Sequence, residues 1–172
     1  MNIIVKLARE TVKRLLNGEK LPNDGNEVAA SPLWKERSAC FVSIKTKDGD
    51  LRGCIGTLLP IQKSLDKEII ANAVSASTHD PRFPPMQKAE LNNVVFSVDV
   101  LSEPEPIKNI SQLEPKKYGV IVSKGYRRGV LLPDLEGVDT AEQQVQIAAM
   151  KAGIYDLDGI ILERFTVKRY KE

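Results

Sequence analysis

The residues most suited to a chemical role lie in 51–57, where Cys54 follows Arg52 by two positions. A thiolate is a strong nucleophile, and a neighbouring cation favours the thiolate over the thiol. Side chains two residues apart in a strand point to the same face of the sheet. If 51–57 is a strand, Cys54 and Arg52 can form a reactive site or bind an anion together. The alternative is that Cys54 is a small, inert packing residue.

The strand assignment rests on Asp48-Gly49, which is typical of a two-residue hairpin turn. Counting outwards from this turn places Ser43 opposite Cys54 and divides the side chains between two faces. The apolar face collects Val42, Ile44, Leu51 and Ile55, and the other collects Ser43, Lys45, Arg52, Cys54 and Gly56. Cys40 and Cys54 then point to opposite faces, so we predict no disulfide between them. Gly53 and Gly56 flank the cysteine, and glycine inside a strand often marks the close approach of a ligand or another backbone.

A catalytic Cys54 also needs a base within hydrogen-bond reach. His79 is the only histidine in the chain, and Glu103 is the other candidate proton carrier. A helix over 65–77 packed on the core would end on the side away from Cys54, so a Cys54–His79 dyad requires residues 79–85 to fold round the sheet edge. The alternatives are a helix C-cap for His79 and an exposed carboxylate for Glu103.

Three further charged residues are candidate ligand contacts. Asp80 and Arg82 can form an ion pair that stiffens a proline loop, or Arg82 can offer its planar fork to a carboxylate or phosphate. Arg128 belongs to a basic hairpin around Lys124-Gly125. That hairpin is either a solvated turn or a contact for an anion or nucleic acid, with few aromatic platforms for stacking nearby.

The surrounding pattern predicts an α+β fold with mainly antiparallel sheets and packed helices. Apolar spacing and caps predict helices over 4–15, 65–77 and 140–151, the last with a Thr140–Gln143 capping box. Alternation predicts strands over 39–46, 51–58, 94–101, 118–123, 127–132 and 160–170. We assign residues 1–172 to a single domain.

Composition narrows the possible functions. The net charge is +2, which gives the chain no overall attraction to nucleic acid. Two cysteines and one histidine are too few for a zinc site built from these residues. We see no secretory signal and no apolar run of about 18 residues, so we expect a cytoplasmic protein with no membrane span.

Five segments in order, within about 39–153, resemble the AMMECR-one domain family, called AmmeMemoRadiSam system protein A in prokaryotes. They are LRGCIGT (51–57), DPRFPP (80–85), LSEPEPI (101–107), the pair GVIV (119–122) and RRGVLLP (127–133), and KAG (151–153). On this resemblance Thr57 joins Arg52, Gly53, Cys54 and Gly56 as a candidate site residue. The tryptophan common near the family's C-terminus is absent here, where the only one is Trp34.

The resemblance implies a larger and a smaller α+β subdomain with a cleft between them, lined by the LRGCIGT strand. Prokaryotic relatives are often encoded beside, or fused to, a Memo-like protein related to extradiol dioxygenases, and beside a radical S-adenosylmethionine protein. The resemblance thus implies those two partners in a shared pathway. It names no cofactor, substrate or oligomeric state, and it leaves open whether the chain is cut from a longer fusion.

Three functions follow from these observations. The first is a domain that binds a small ligand or a partner protein through the LRGCIGT strand. We favour it because a single histidine, without a metal cluster, is not enough to assemble a complete catalytic site. The second is an enzyme with Cys54 as nucleophile and His79 or Glu103 as proton carrier. The third, a nucleic-acid-binding regulatory protein using Arg128 and its hairpin, has the least support because the net charge is near zero.

Overall fold

A computed structural model describes residues 1–172 and contains three α-helices and seven strands. The helices are α1 (Ile3–Asn17), α2 (Leu65–Thr78) and α3 (Ala141–Lys151). The strands are β1 (Cys40–Thr46), β2 (Leu51–Gly56), β3 (Val94–Leu101), β4 (Glu105–Ile107), β5 (Tyr118–Lys124), β6 (Arg127–Leu131) and β7 (Ile161–Lys171). The strand pairs β1–β2, β1–β3, β4–β7, β5–β6 and β5–β7 are all antiparallel, which together with the helices confirms the predicted α+β class.

The chain divides into two compact units of unequal size. The first comprises Met1–Leu101 together with Lys168–Glu172, and the second comprises Ser102–Val167. Strand β7 contributes residues to both units, since its last four residues belong to the first.

In the first unit, β1 lies between β2 and β3, which leaves β2 at an edge. Helices α1 and α2 pack on one face of these strands and bury an aliphatic core. Asn2 accepts the Ile4 amide at the start of α1, and Gly18 ends the helix at φ 70°, as expected of a glycine that follows the last apolar turn. The buried core residues include Leu7, Val42, Ile44, Ile69, Ala73, Phe96 and Val98.

The β1–β2 hairpin follows the predicted register over its far half and departs from it near the turn. Phe41 to Ile44 pair with Gly56 to Gly53 as expected, but Lys45 then pairs with Leu51. The turn is longer than two residues, since the Gly49 amide bonds to Thr46 O and Thr46 N bonds to Asp50 O. Gly49 adopts φ 99°. A longer turn with a left-handed glycine leaves one extra residue, Arg52, as a bulge in β2.

This bulge overturns one face assignment. Leu51 was predicted to face the core, but it pairs with exposed Lys45 and is itself 37% exposed. Gly53 stands opposite Ile44 and lies under helix α2, where an added Cβ would be 2.1 Å from Ala76 O. A bulge locally disrupts the regular alternation of side chains. The face of Arg52 therefore cannot be read from simple counting.

In the second unit, β5 lies between β6 and β7, and β4 pairs with β7. Helix α3 begins at the predicted capping box, with Thr140 and Gln143 bonding to each other's backbone. It packs on β5 and β6, and an added Cβ on Gly129 would lie 1.8 Å from Ala148 O. The sequence pattern missed β4, because its three residues include a proline and show no alternation.

Candidate functional site around Cys54

Cys54 lies on the sheet face opposite the core of the first unit. Its Sγ is 3.0 Å from Ser43 Oγ, and the two groups share a hydrogen bond. Ser43 pairs on its other side with Ser97, so three short polar side chains form a row across β2, β1 and β3. The thiol is half-buried. Because a one-residue slip would have put it in the core, this placement confirms the predicted register at Cys54.

The rows on either side of this one complete what we call the Cys54 face. One row contains Leu51, Lys45 and Val95, all exposed. The other contains Gly56, Phe41 and Asp99. An added Cβ on Gly56 would lie 2.3 Å from Phe41 Cγ, so the phenyl ring covers this glycine beside the cysteine.

Asp99 gives the Cys54 face a fixed charge pair at one end. Its carboxylate is buried and accepts two hydrogen bonds from Arg169, at 2.7 and 2.6 Å. A bidentate guanidinium–carboxylate pair has a defined geometry as well as a charge-assisted energy. This end of the face is therefore rigid.

Cys40 is chemically the opposite of Cys54. It lies in the core, where burial raises the pKa of its thiol to about 12 despite a hydrogen bond from Asn72. Both cysteines are free, which confirms that they form no disulfide.

The edge of β2 is held at Cys54 by the loop that follows α2. Asp80 Oδ2 accepts the Cys54 amide at 2.9 Å, and Arg82 donates to the Cys54 carbonyl at 3.2 Å. Asp80 also accepts three hydrogen bonds from Arg82, two from its guanidinium and one from its amide. An edge strand normally exposes such amide and carbonyl groups. Here the ion pair fixes the backbone that carries the thiol.

This arrangement shifts the pKa of both partners. The hydrogen bonds from the Arg82 side chain hold the pKa of the Asp80 carboxyl far below its usual value, with further lowering from the Cys54 and Arg82 amides. Burial acts in the other direction. Asp80 in turn raises the pKa of Arg82. Asp80 and Arg82 thus form the expected ion pair that stiffens the loop, while the Arg82 side chain is more than half exposed and can still contact a ligand.

Arg52 is engaged by the same loop rather than by Cys54. Its Nε donates to Glu90 Oε1 at 2.6 Å, and its terminal nitrogen donates to Glu90 Oε2 and Pro84 O. The guanidinium also lies 5.8 Å from the centre of the Phe83 ring. The bulge in β2 explains this position, because it frees Arg52 from the strand's alternation.

Thr57 and Gly53 have structural contacts as well. Thr57 Oγ1 donates to Glu68 Oε1 at 2.6 Å, and the amides of Ile61 and Gln62 donate to the other oxygen of this buried carboxylate. Gly53 lies against the backbone of α2. Gly53 within the LRGCIGT segment and Thr57 at its end therefore both lie against the helix that follows it.

His79 and Glu103 are not assembled with Cys54 by hydrogen bonds. His79 is exposed, ends α2 as its C-cap, and shares a hydrogen bond between Nδ1 and Thr78 Oγ1. Glu103 is exposed and belongs to the second unit. Across the chain, no group of three or more His, Cys, Asp or Glu side chains is placed to hold a metal ion.

Two cations of the basic hairpin are paired with carboxylates from other segments of the second unit. Arg128 bonds to Glu163 at 2.9 Å, and Lys124 bonds to Asp156 at 2.8 Å. Each pair reduces the positive charge available to a phosphate backbone. Arg127 differs, since it donates to the neutral carbonyl of Gly153.

Sequence reasoning missed the partners that fix this site. Glu90 could have been found, because Gln87 and Glu90 have capping-box spacing, and the structure shows that box. The sequence indicates for Glu68 only a place near the start of a helix, and no local pattern signals that it binds the 57–62 segment. Ser97 could have been found only by aligning β3 with β1, which no turn connects.

The fold and the site define a two-unit α+β domain with a cysteine on a polar sheet face. The AMMECR1 family profile matches residues 5–172, and the chain belongs to this family. A protein of Thermotoga maritima is 55% identical over 147 residues, which cover 85% of this chain and 84% of the relative. A protein of Clostridium acetobutylicum is 45% identical over 168 residues, and this chain spans 98% of its own length but 36% of that relative.

Among solved structures, the crystal structure of an uncharacterized protein from Pyrococcus horikoshii is similar, with a TM-score of 0.87 and 29% sequence identity. The match covers 98% of this chain and 89% of that one. None of the helices combines the length and the apolar character needed to cross a membrane.

Proposed function

We propose that the chain is a binding domain whose recognition surface is the Cys54 face. The observation that carries this proposal is the fixed row Cys54–Ser43–Ser97, set in a sheet whose edge is clamped at Cys54 by Asp80 and Arg82. A binding surface gains affinity when its groups are already held in place, because less conformational freedom is lost on association. The exposed row of Leu51, Lys45 and Val95 adds apolar contact area and one cation.

The pairing of the charged residues favours binding over catalysis. Arg52 is engaged by Glu90 and Arg82 by Asp80, and His79 bonds to Thr78. Nucleophilic catalysis needs a base within hydrogen-bond reach of the thiol, whereas the hydrogen-bond partner of Cys54 is the hydroxyl of Ser43. A serine hydroxyl does not accept a proton near neutral pH.

We propose further that the occupant is a protein of the pathway implied by the gene neighbourhood of prokaryotic relatives. The candidates are a Memo-like protein and a radical S-adenosylmethionine protein. Leu51 and Val95 expose apolar area of the kind that a protein interface buries, and the small polar row beside them can form hydrogen bonds to the partner. This proposal places the interaction in the cytoplasm, where the chain would meet both candidates.

Val95→Arg is expected to weaken binding to the cognate partner by at least about tenfold, because it places a bulky charge inside the proposed contact. Binding is measured by titrating each purified candidate against the variant and the parent chain. Ile61→Arg is the matched control, since Ile61 is also an exposed aliphatic residue of the first unit but lies outside the Cys54 face. Equal weakening by both variants, or no complex with either candidate at micromolar concentration, would count against the proposal.

The second candidate function is an enzyme with Cys54 as nucleophile, which the half-exposed, hydrogen-bonded thiol supports. Alkylation kinetics distinguish this enzyme from a binding domain. For a binding domain, we expect Cys54 to react with iodoacetamide at pH 7 no faster than a free model thiol, because the thiol is half-buried and bonded to Ser43. Cys40, buried and with its pKa raised to about 12, should stay unlabelled in the folded protein.

Labelling is followed by mass spectrometry, with Cys54→Ser as the variant that must show none. Alkylation of Cys54 ten or more times faster than the model thiol would favour the enzyme. In that case, His79→Gln and Glu103→Gln would test the two candidate proton carriers.

A further inference from the structure

The second unit contains an open pocket of about 330 Å³, and none of its lining residues belongs to the Cys54 face. It lies between the β5–β6 turn and the segment after α3. Its lining includes Lys124, Tyr126 and Arg127 from the turn, and Ile154, Tyr155 and Asp156 from the other segment. This volume is at the lower end of the range for pockets that bind small molecules.

Two tyrosine side chains at this pocket are almost entirely exposed to solvent. Tyr126 is 92% exposed and Tyr155 is 83% exposed. Folding gains little from an aromatic side chain left in water, whereas a flat ligand can stack on its face. Ile154 provides a buried apolar floor. The pocket thus offers surfaces for an aromatic ring.

The charges at this pocket leave one guanidinium uncompensated. Lys124 donates to the Asp156 carboxylate at 2.8 Å and to its carbonyl at 2.9 Å, so these two residues neutralise each other. Arg127 donates from one terminal nitrogen to Gly153 O, a neutral acceptor, and its ring partner is Tyr126 at 5.9 Å. A guanidinium has five N–H donors arranged to bind carboxylate or phosphate. Donors of Arg127 are therefore available to an anion.

We propose that this pocket binds a small planar aromatic ligand that carries an anionic group, of the mononucleotide class. The ring stacks on Tyr126 or Tyr155, and the anion accepts hydrogen bonds from Arg127. Binding here is independent of the Cys54 face, which belongs to the other unit.

Titration of the full chain with adenosine 5′-monophosphate tests this proposal. Binding is measured by calorimetry and by ligand-observed NMR. We expect saturable binding with a dissociation constant below about 1 mM. Adenosine and inorganic phosphate should each bind more weakly, because each makes only part of the contacts. Arg127→Gln should weaken binding by about tenfold, because charge-assisted hydrogen bonds are lost. Tyr126→Ala and Tyr155→Ala together should weaken it by about fivefold or more.

Arg128→Gln is the matched control, because Arg128 is the next residue of β6 but pairs with Glu163 outside the pocket. It should change the affinity by less than about twofold, and unfolding curves should show that all variants fold. The proposal is overturned if the mononucleotide does not bind at about 5 mM, or if phosphate alone or adenosine alone binds equally well. Tighter binding of a short oligothymidylate than of the mononucleotide would also overturn it, in favour of single-stranded nucleic acid.

Discussion

Gly53→Ala is expected to lower the free energy of unfolding by about 3 kcal/mol, the upper end of the usual cost of overpacking. An added Cβ would lie 2.1 Å from the carbonyl oxygen of Ala76 and 3.1 Å from its carbon. Both are backbone atoms in the last turns of α2, so no side-chain rotation relieves the overlap. Either the helix must move off the strand or the strand must leave the sheet.

Urea unfolding at neutral pH measures this cost. Cys54→Ala is the matched control in the next position of β2, where the side chain faces away from the helix, and it should cost about 1 kcal/mol or less. A loss below about 1 kcal/mol for Gly53→Ala would show that α2 can shift freely over β2. The clamped geometry proposed for the Cys54 face would then lose its support.

The second unit repeats this packing device. Gly129 lies in β6, the outer strand of a hairpin, beneath the Ala148 carbonyl of the helix that follows. Gly53 has the same relation to the hairpin β1–β2 and helix α2. In both places a strand glycine lets helix backbone approach the sheet directly. A glycine inside a strand is compatible with the close approach of either a ligand or another backbone, and at Gly53 the neighbour is the backbone of α2.

The elements were predictable because their signals are local. The capping box at Thr140 is confirmed. Gly18 and Ser64 are residue types typical of helix ends and lie at helix ends in the structure, although Ser64 caps α2 without a side-chain bond to its backbone. The position of Cys54 was predictable because alternation away from the turn is strict. At the turn itself the sequence was ambiguous, since Asp48-Gly49 suits both a two-residue turn and a longer turn with a bulge.

The site was only partly predictable, because its geometry depends on contacts distant in sequence. Arg52 and Glu90 are 38 residues apart, and Cys54 and Asp80 are 26 apart. No periodicity reports such pairs. The resemblance grouped residues 51–57 with 80–85 as motifs, but their physical relation, an edge strand held by an ion-paired loop, required coordinates.

Replacing Asp80, which holds the edge of the Cys54 face, is also expected to lower the free energy of unfolding substantially. Its carboxylate is 3% exposed and accepts the Cys54 amide, the Arg82 amide and two guanidinium bonds. Asp80→Asn keeps the shape but removes the charge, and we expect it to cost about 2–3 kcal/mol at pH 7, the scale of charge-assisted hydrogen bonds. Asp48→Asn, in the exposed hairpin turn, is the matched control and should cost less than about 0.5 kcal/mol.

The pH dependence follows from the sign of the pKa shift at Asp80. Since Arg82 and the two amides lower the pKa of this carboxyl in the folded state, the folded protein favours the ionised form. Its stabilisation is therefore complete above the unfolded pKa, near 3.8, and is lost as the pH falls from there towards the lower folded value. Urea unfolding of the parent and Asp80→Asn at pH 7, 5, 4 and 3 should show a constant difference down to about pH 5 and a shrinking one below. Taking the difference cancels the other carboxylates that titrate in the same range, including Glu90, whose pKa Arg52 lowers. A difference that stays the same from pH 7 to pH 3 would mean that the contribution of Asp80 to stability does not depend on its negative charge.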